Sequence, residues 1–154
     1  SLPPQVLIVD DHEEENTIVS DWIMQQVNSG IPSSEIGIFV RSEKELGRAK
    51  SAINLSGQRA FKISEKFEEN KSSISYGTMH FSKGLEFKSV AVMACDEDVL
   101  PQQERLERVT DGSDLAEVYE TEAHLLYVAC TRAREHLLIT GIAPGSDFLD
   151  DLGI

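Results

Sequence analysis

The chain has 154 residues, 40% hydrophobic and 27% charged, and its 27 acidic against 14 basic side chains give a formal net charge of −13. This is the composition of one ordinary globular domain and excludes a disordered segment. The charge excludes a protein that grips nucleic acid by bulk positive potential, so any such contact needs a local basic strip or a partner domain. No apolar run approaches the ~20 residues of a membrane span, and no signal peptide is expected at the N-terminus.

Residues 5–10 (QVLIVD) form a short apolar run that reads as a buried strand. Asp10 or Asp11 can cap the following helix, with Glu13, Glu14 and Glu15 in its first turn, where the helix dipole favours anions. Ile18, Val19, Trp22, Ile23 and Val27 then recur at helical spacing, Trp22 reading as the core anchor, and Gly30 supplies a stop. Residues 36–40 (IGIFV) predict a second buried strand, 42–56 a second helix, and 59–63 a short edge strand. After a polar connection over 64–73, strands are predicted at 74–79 and 89–94. They bracket the loop FSKGLEF (81–87). Residues 96–113 read as irregular, with Pro101 and Gly112 as breakers. Residues 117–134 carry helical spacing, and 136–140 (HLLIT) a last strand. Ser146 opens a closing turn that holds Phe148, Leu149 and Leu152. Cys95 and Cys130 lie far apart outside any CxxC pair, which argues against a disulfide framework and against a zinc site and fits a reducing cytoplasm.

Alternating strands and helices predict an α/β domain with a mainly parallel sheet covered on both faces. Ligands of such sheets gather at the carboxyl ends of the strands, which points to Asp10-Asp11, Arg41, residues 78–86 and Asp96. The opening VLIVDDHEE is similar to a phosphorylatable receiver domain, whose carboxylate pair binds Mg²⁺. That reading fails on the rest of the chain. Residues 52–55 (AINL) lack the aspartate required after the third strand, and no lysine follows Lys88.

Two segments carry the chemistry. Residues 77–87 (GTMHFSKGLEF) and 120–134 (ETEAHLLYVACTRAR) occur in that order, the second followed by a strand. Together they resemble motifs V and VI of the UvrD/Rep-type superfamily 1 DNA helicases. IGIFVRS (36–42) is similar to the strand-plus-arginine element that precedes them, and SDFLDDL (146–152) to the closing segment. The resemblance implies a single RecA-like domain over residues 1–154, a three-layer sandwich that is the second motor domain of a longer ATP-dependent helicase. No GxxxxGK[ST] string and no Walker B motif is present, so ATP with Mg²⁺ would be held mainly by a first RecA-like domain not contained in this chain.

The resemblance implies a role for each matching residue. Arg132 matches the arginine finger, a fixed guanidinium that neutralises charge on a phosphoryl group in flight. A surface salt bridge to Glu135 is the plain alternative. Glu86 matches the glutamate that accepts from the nucleotide ribose, where the plain alternative is a solvated loop acid. Gly84 would let the backbone approach the ligand. Thr78, His80 and Lys83 match positions on the single-stranded DNA backbone, and Arg41 follows a strand end nearby. Their hydroxyl, imidazole, ammonium and guanidinium donors hold phosphates without reading sequence. A histidine on a strand is otherwise a satisfied structural residue, and Phe148 could stack on a base or fill the core. Tyr127 and Cys130 read as packing residues. As the resemblance implies, movement would run 3′ to 5′ along single-stranded DNA.

Three departures stand out. Ala123 and His124 replace the two arginines that usually precede the LxYV string. Glu43 places a carboxylate where relatives carry a neutral DNA contact. Only 35 residues separate Arg41 from Gly77, which leaves no room for the accessory domain many relatives insert. A helicase-like module kept for binding a protein partner is the alternative that the acidic charge favours.

Overall fold

A computed structural model describes residues 3–66, 68–70 and 72–152. Its strands are β1 (Gln5–Val9), β2 (Ile36–Val40), β3 (Ala60–Lys62), β4 (Ile74–Thr78), β5 (Phe87–Val92) and β6 (Ala133–Ile142). Its helices are α1 (His12–Asn28), α2 (Leu46–Leu55), α3 (Gln103–Glu107) and α4 (Gly112–Cys130). One sheet of order β1-β6-β5-β2-β4-β3 runs parallel throughout. Val19, Trp22 and Ile23 of α1 and Ala49, Ala52 and Ile53 of α2 bury one face. Leu126 and Ala129 of α4 and Phe148 bury the other. The α/β three-layer sandwich follows, with β2 and β4 buried along their whole lengths, β2 as a near-continuous apolar strand should be.

The chain departs from the sequence expectations in several places. β1 is an edge strand, and Leu7 and Ile8 are 41% and 42% exposed, because one side of it has no neighbour. α4 starts five residues early, since Asp111 accepts from the Ser113 and Asp114 amides as its cap. The stretch 96–113 holds the short helix α3. Tyr127 is 59% exposed and lies off the core, because the buried stripe of α4 is Glu122, Leu126 and Ala129. Phe148 is buried edge-on against Tyr119, which removes it from base stacking. The 64–73 connection includes Phe67 and Lys71, and these, like Ser1 and Leu2, lie outside the described residues.

The carboxyl ends of β5 and β6 are closed by the protein's own charges. Buried Glu15 of α1 accepts Nε and Nη2 of Arg48 at 2.9 and 2.7 Å, the Ala94 amide at 3.0 Å and the Thr140 hydroxyl at 2.8 Å. Arg48 Nη1 reaches Asp96 Oδ2 at 2.7 Å, and Asp96 Oδ1 accepts from the Ile142 amide at 2.7 Å. These six hydrogen bonds converge on Glu15 and Asp96 from Arg48 of α2 and from the ends of two strands, so both carboxylates are engaged inside the protein. Asp11 caps α1 through the Glu14 amide, where a phosphate-binding loop would offer free backbone donors.

β6 crosses this edge with almost no clearance. A Cβ at Gly141 would lie 2.6 Å from the Cys95 carbonyl oxygen, a backbone atom that cannot rotate away. Gly141→Ala is expected to cost about 1–3 kcal/mol through overpacking, read as a lowered melting temperature.

Candidate functional site

Because β4 and β5 are parallel, the segment between them must travel from the carboxyl edge of the sheet back to the amino edge. Residues 79–86 do so across the α4 face. β4 ends at Thr78, and a single 3-10 turn follows at Met79–Phe81, held by the Ser82 hydroxyl donating to the Met79 carbonyl at 2.8 Å. The chain then reverses at Lys83-Gly84. Gly84 sits at φ +80, a conformation that glycine adopts without strain. No described protein atom lies within 4 Å of where its Cβ would be, so the backbone angle, and not crowding, is the visible reason for glycine here.

This crossing splits the candidate residues between two edges. Arg41, Thr78 and His80 sit at the carboxyl edge, just past β2 and β4. Gly84, Glu86 and Arg132 sit at the amino edge, where β5 and β6 begin. A five-residue strand separates the edges by roughly 16 Å. The expectation that residues 78–86 share one ligand-bearing edge is therefore corrected. The carboxyl-edge rule describes a ligand bound by the sheet itself, whereas a group lent to a neighbouring domain can project from any edge.

At the amino edge, Arg132 lies in the turn between α4 and β6, and its carbonyl accepts from the Phe87 amide at 3.0 Å. Its half-buried guanidinium folds back on the end of α4. Nε donates to the Val128 carbonyl at 3.0 Å, Nη1 to the Leu85 carbonyl at 3.2 Å and Nη2 to the Thr131 hydroxyl at 3.1 Å. These bonds satisfy a helix-end carbonyl and set a cation at the negative pole of the helix. All three acceptors are neutral, and among the described residues no carboxylate pairs with Arg132, Glu135 included. Leu85 thus ties Arg132 directly to the residue before Glu86. Glu86 is largely exposed, 3.5 Å from Nε of Arg134, which also pairs with Glu35 at 2.7 Å.

At the carboxyl edge, Arg41 is 3% exposed and turned inward. Its Nε and Nη2 fork onto buried Glu122 at 2.8 and 2.6 Å. Glu122 also accepts Arg105 Nη1 at 2.7 Å and the Gln102 amide at 2.7 Å. Burial alone would push the Glu122 carboxyl up, but the bonds from Arg41 and Gln102 outweigh it and hold the group below its usual range. His80 Nε2 lies 3.4 Å from Arg41 Nη1. Burial first and the Arg41 charge second depress its pKa, so the imidazole is neutral at pH 7. Lys83 is exposed in the crossing turn and has no ion pair among the described residues.

Glu122 is not singled out from the sequence, and Glu15 is read there only as a first-turn acid of its helix. Both lie on the apolar stripe of their helix, Glu122 with Leu126 and Ala129, Glu15 with Val19 and Trp22. A carboxylate on such a stripe announces a buried counter-ion, and that signal was available. Among the described residues, no group of three or more His, Cys, Asp or Glu side chains is placed to hold a metal ion, and no helix is long and apolar enough to cross a membrane.

The sequence family described as the UvrD-like helicase C-terminal domain matches residues 47–143, well over half of the chain and both motif segments. The chain belongs to that family. Among curated relatives, the putative ATP-dependent DNA helicase YjcD of Bacillus subtilis (strain 168) is 38% identical over 79 residues, covering 51% of this chain and 10% of that protein. A probable DNA helicase of Mycoplasma pneumoniae is 28% identical over 127 residues, covering 79% and 21%. The UvrD-like domain thus spans only about a tenth to a fifth of these relatives. A solved structure described as the C-terminal domain of a possible DNA helicase from Lactobacillus plantarum WCFS1 superposes with a TM-score of 0.69, covering 95% of this chain and 78% of that one at 19% identity. That likeness shows the shared fold, and with it the RecA-like class of this UvrD-like helicase domain.

Proposed function

We propose that the chain is the second RecA-like motor domain of a longer ATP-dependent DNA helicase, lending one edge to a nucleotide and the other to single-stranded DNA. The observation that supports this reading is the pairing of Arg132 with the Leu85-Glu86 segment on one accessible edge, its guanidinium bonded among the described residues to neutral oxygens alone. A first RecA-like domain would hold ATP and Mg²⁺. The residues present here suit only the outer part of a nucleotide, with Arg132 for phosphoryl oxygens and Glu86 for a ribose hydroxyl. Bound ATP supplies a phosphoanhydride whose cleavage is driven by charge neutralisation and positioning.

Arg132 would exchange its carbonyl partners for phosphate oxygens. Phosphate adds an ionised acceptor and a bidentate geometry that carbonyl oxygens lack, so the exchange favours release toward the nucleotide. Glu86, freed from Arg134, would accept from the ribose. At the opposite edge, Thr78 and His80 would hold phosphates of the strand, with Lys83 of the crossing turn as a further donor, and closure of the two domains would move this edge along the DNA, 3′ to 5′. The reading places the protein in the cytoplasm with its DNA. It is tested by purifying the intact protein and this 154-residue chain and measuring ATP hydrolysis with and without single-stranded DNA. Hydrolysis stimulated by DNA in the intact protein, and none in the isolated chain, is expected. Hydrolysis by the isolated chain would refute the divided site, and an intact protein without ATPase would favour the protein-binding module.

A further inference from the structure

Beside the ends of β2 and β4 the carboxyl edge opens into a concavity of about 650 Å³, lined by Arg41, Thr78, His80, Gln102 and Arg105 among others. Its charges do not balance. Buried Glu122 accepts from both Arg41 and Arg105, so one carboxylate faces two guanidinium groups. Arg41 spends its fork on Glu122 and turns Nη1 to His80. Arg105 spends only Nη1, its side chain is 36% exposed, and its Nε and Nη2 have no partner among the described residues. Thr78 is 6% exposed and lines the same concavity, and its hydroxyl has no partner among the described residues either. Glu43, on the rim, is exposed and screened by solvent.

An excess guanidinium with two unengaged nitrogens, anchored at its third and set beside an unengaged hydroxyl, is a preorganised site for a phosphate. We propose that Arg105 is the arginine that contacts a backbone phosphate of single-stranded DNA, with the Thr78 hydroxyl as second donor, and that Arg41 is a positioning residue acting through Glu122. The assignment rests on the DNA-binding reading above and moves the phosphate contact from Arg41 to a residue of α3.

The test is the affinity of the intact protein for an oligothymidylate, measured across a series of salt concentrations, with melting temperatures alongside. Arg105→Ala is expected to weaken binding about 10-fold, the worth of one hydrogen bond to a charged group, and to lower the slope of log affinity against log salt by about 0.7, one phosphate's share on a single strand. Arg105→Lys keeps the charge and should restore the slope. Arg105→Gln keeps the stem and a donor to Glu122 and should lose the slope as Ala does, which serves if the Ala variant fails to fold. A purely structural role would lower the melting temperature and leave the slope alone. A wild-type slope in Arg105→Gln, whatever the affinity, would overturn the assignment while leaving the DNA-binding reading intact. A wild-type protein that binds no oligothymidylate would overturn both.

Discussion

On the proposed function, Arg132→Ala in the intact protein is expected to lower DNA-stimulated ATP turnover by about 10³-fold, at the lower end of what a supplied arginine contributes to phosphoryl transfer. The loss should fall on kcat, because the guanidinium matters most when charge spreads over the phosphoryl oxygens. In the structure Arg132 also bonds the Val128 and Leu85 carbonyls, each bond contributing about 1 kcal/mol net. The melting temperature should therefore drop slightly, far less than the rate. Arg132→Lys keeps charge without the fork and should recover only part of the rate. Steady-state hydrolysis at saturating single-stranded DNA reads all three. Unchanged turnover with a lowered melting temperature would make Arg132 no more than a helix-end lock.

Glu122→Ala is expected to destabilise the domain by about 3–5 kcal/mol. It strands the Arg41 guanidinium, which is nearly inaccessible to water, without its counter-ion. It also frees the Gln102 amide, on which the stretch ahead of α3 depends. Glu122→Gln keeps the shape and should cost less. The same carboxylate gives a pH signature. Its folded pKa lies below the ordinary value of 4.5, so the unfolded chain binds the proton more readily. The stability it contributes is complete above about pH 4.5 and is lost as pH falls through the folded pKa. Chemical denaturation at a series of pH values should show a shallower acid loss in Glu122→Gln than in wild type.

Much of the fold was legible because local and global preferences agree. Buried parallel strands such as IGIFV are continuous apolar runs, Asp11 caps its helix, and Trp22 fills the core as its spacing says. β1 was misjudged because an apolar strand reads the same at an edge as at the centre; only the sheet order tells them apart. The start of α4 was missed because Gly112, a poor helix former, stands at a position that the Asp111 cap makes permissible. At the candidate site the motifs located residues 77–87 and 120–134 but not their separation onto opposite edges, which follows from β4 and β5 being parallel. Arg41 looked like an outward donor because nothing local reveals the carboxylate that receives it. That partner lies 81 residues away on α4.

The divided active site is tested most directly by a crystal structure of the intact protein bound to a non-hydrolysable ATP analogue. The expected result is the Arg132 guanidinium released from Val128 and Leu85 and about 3 Å from the terminal phosphate oxygens, with Glu86 on the ribose. A nucleotide bound elsewhere, with Arg132 still folded onto α4, would contradict it.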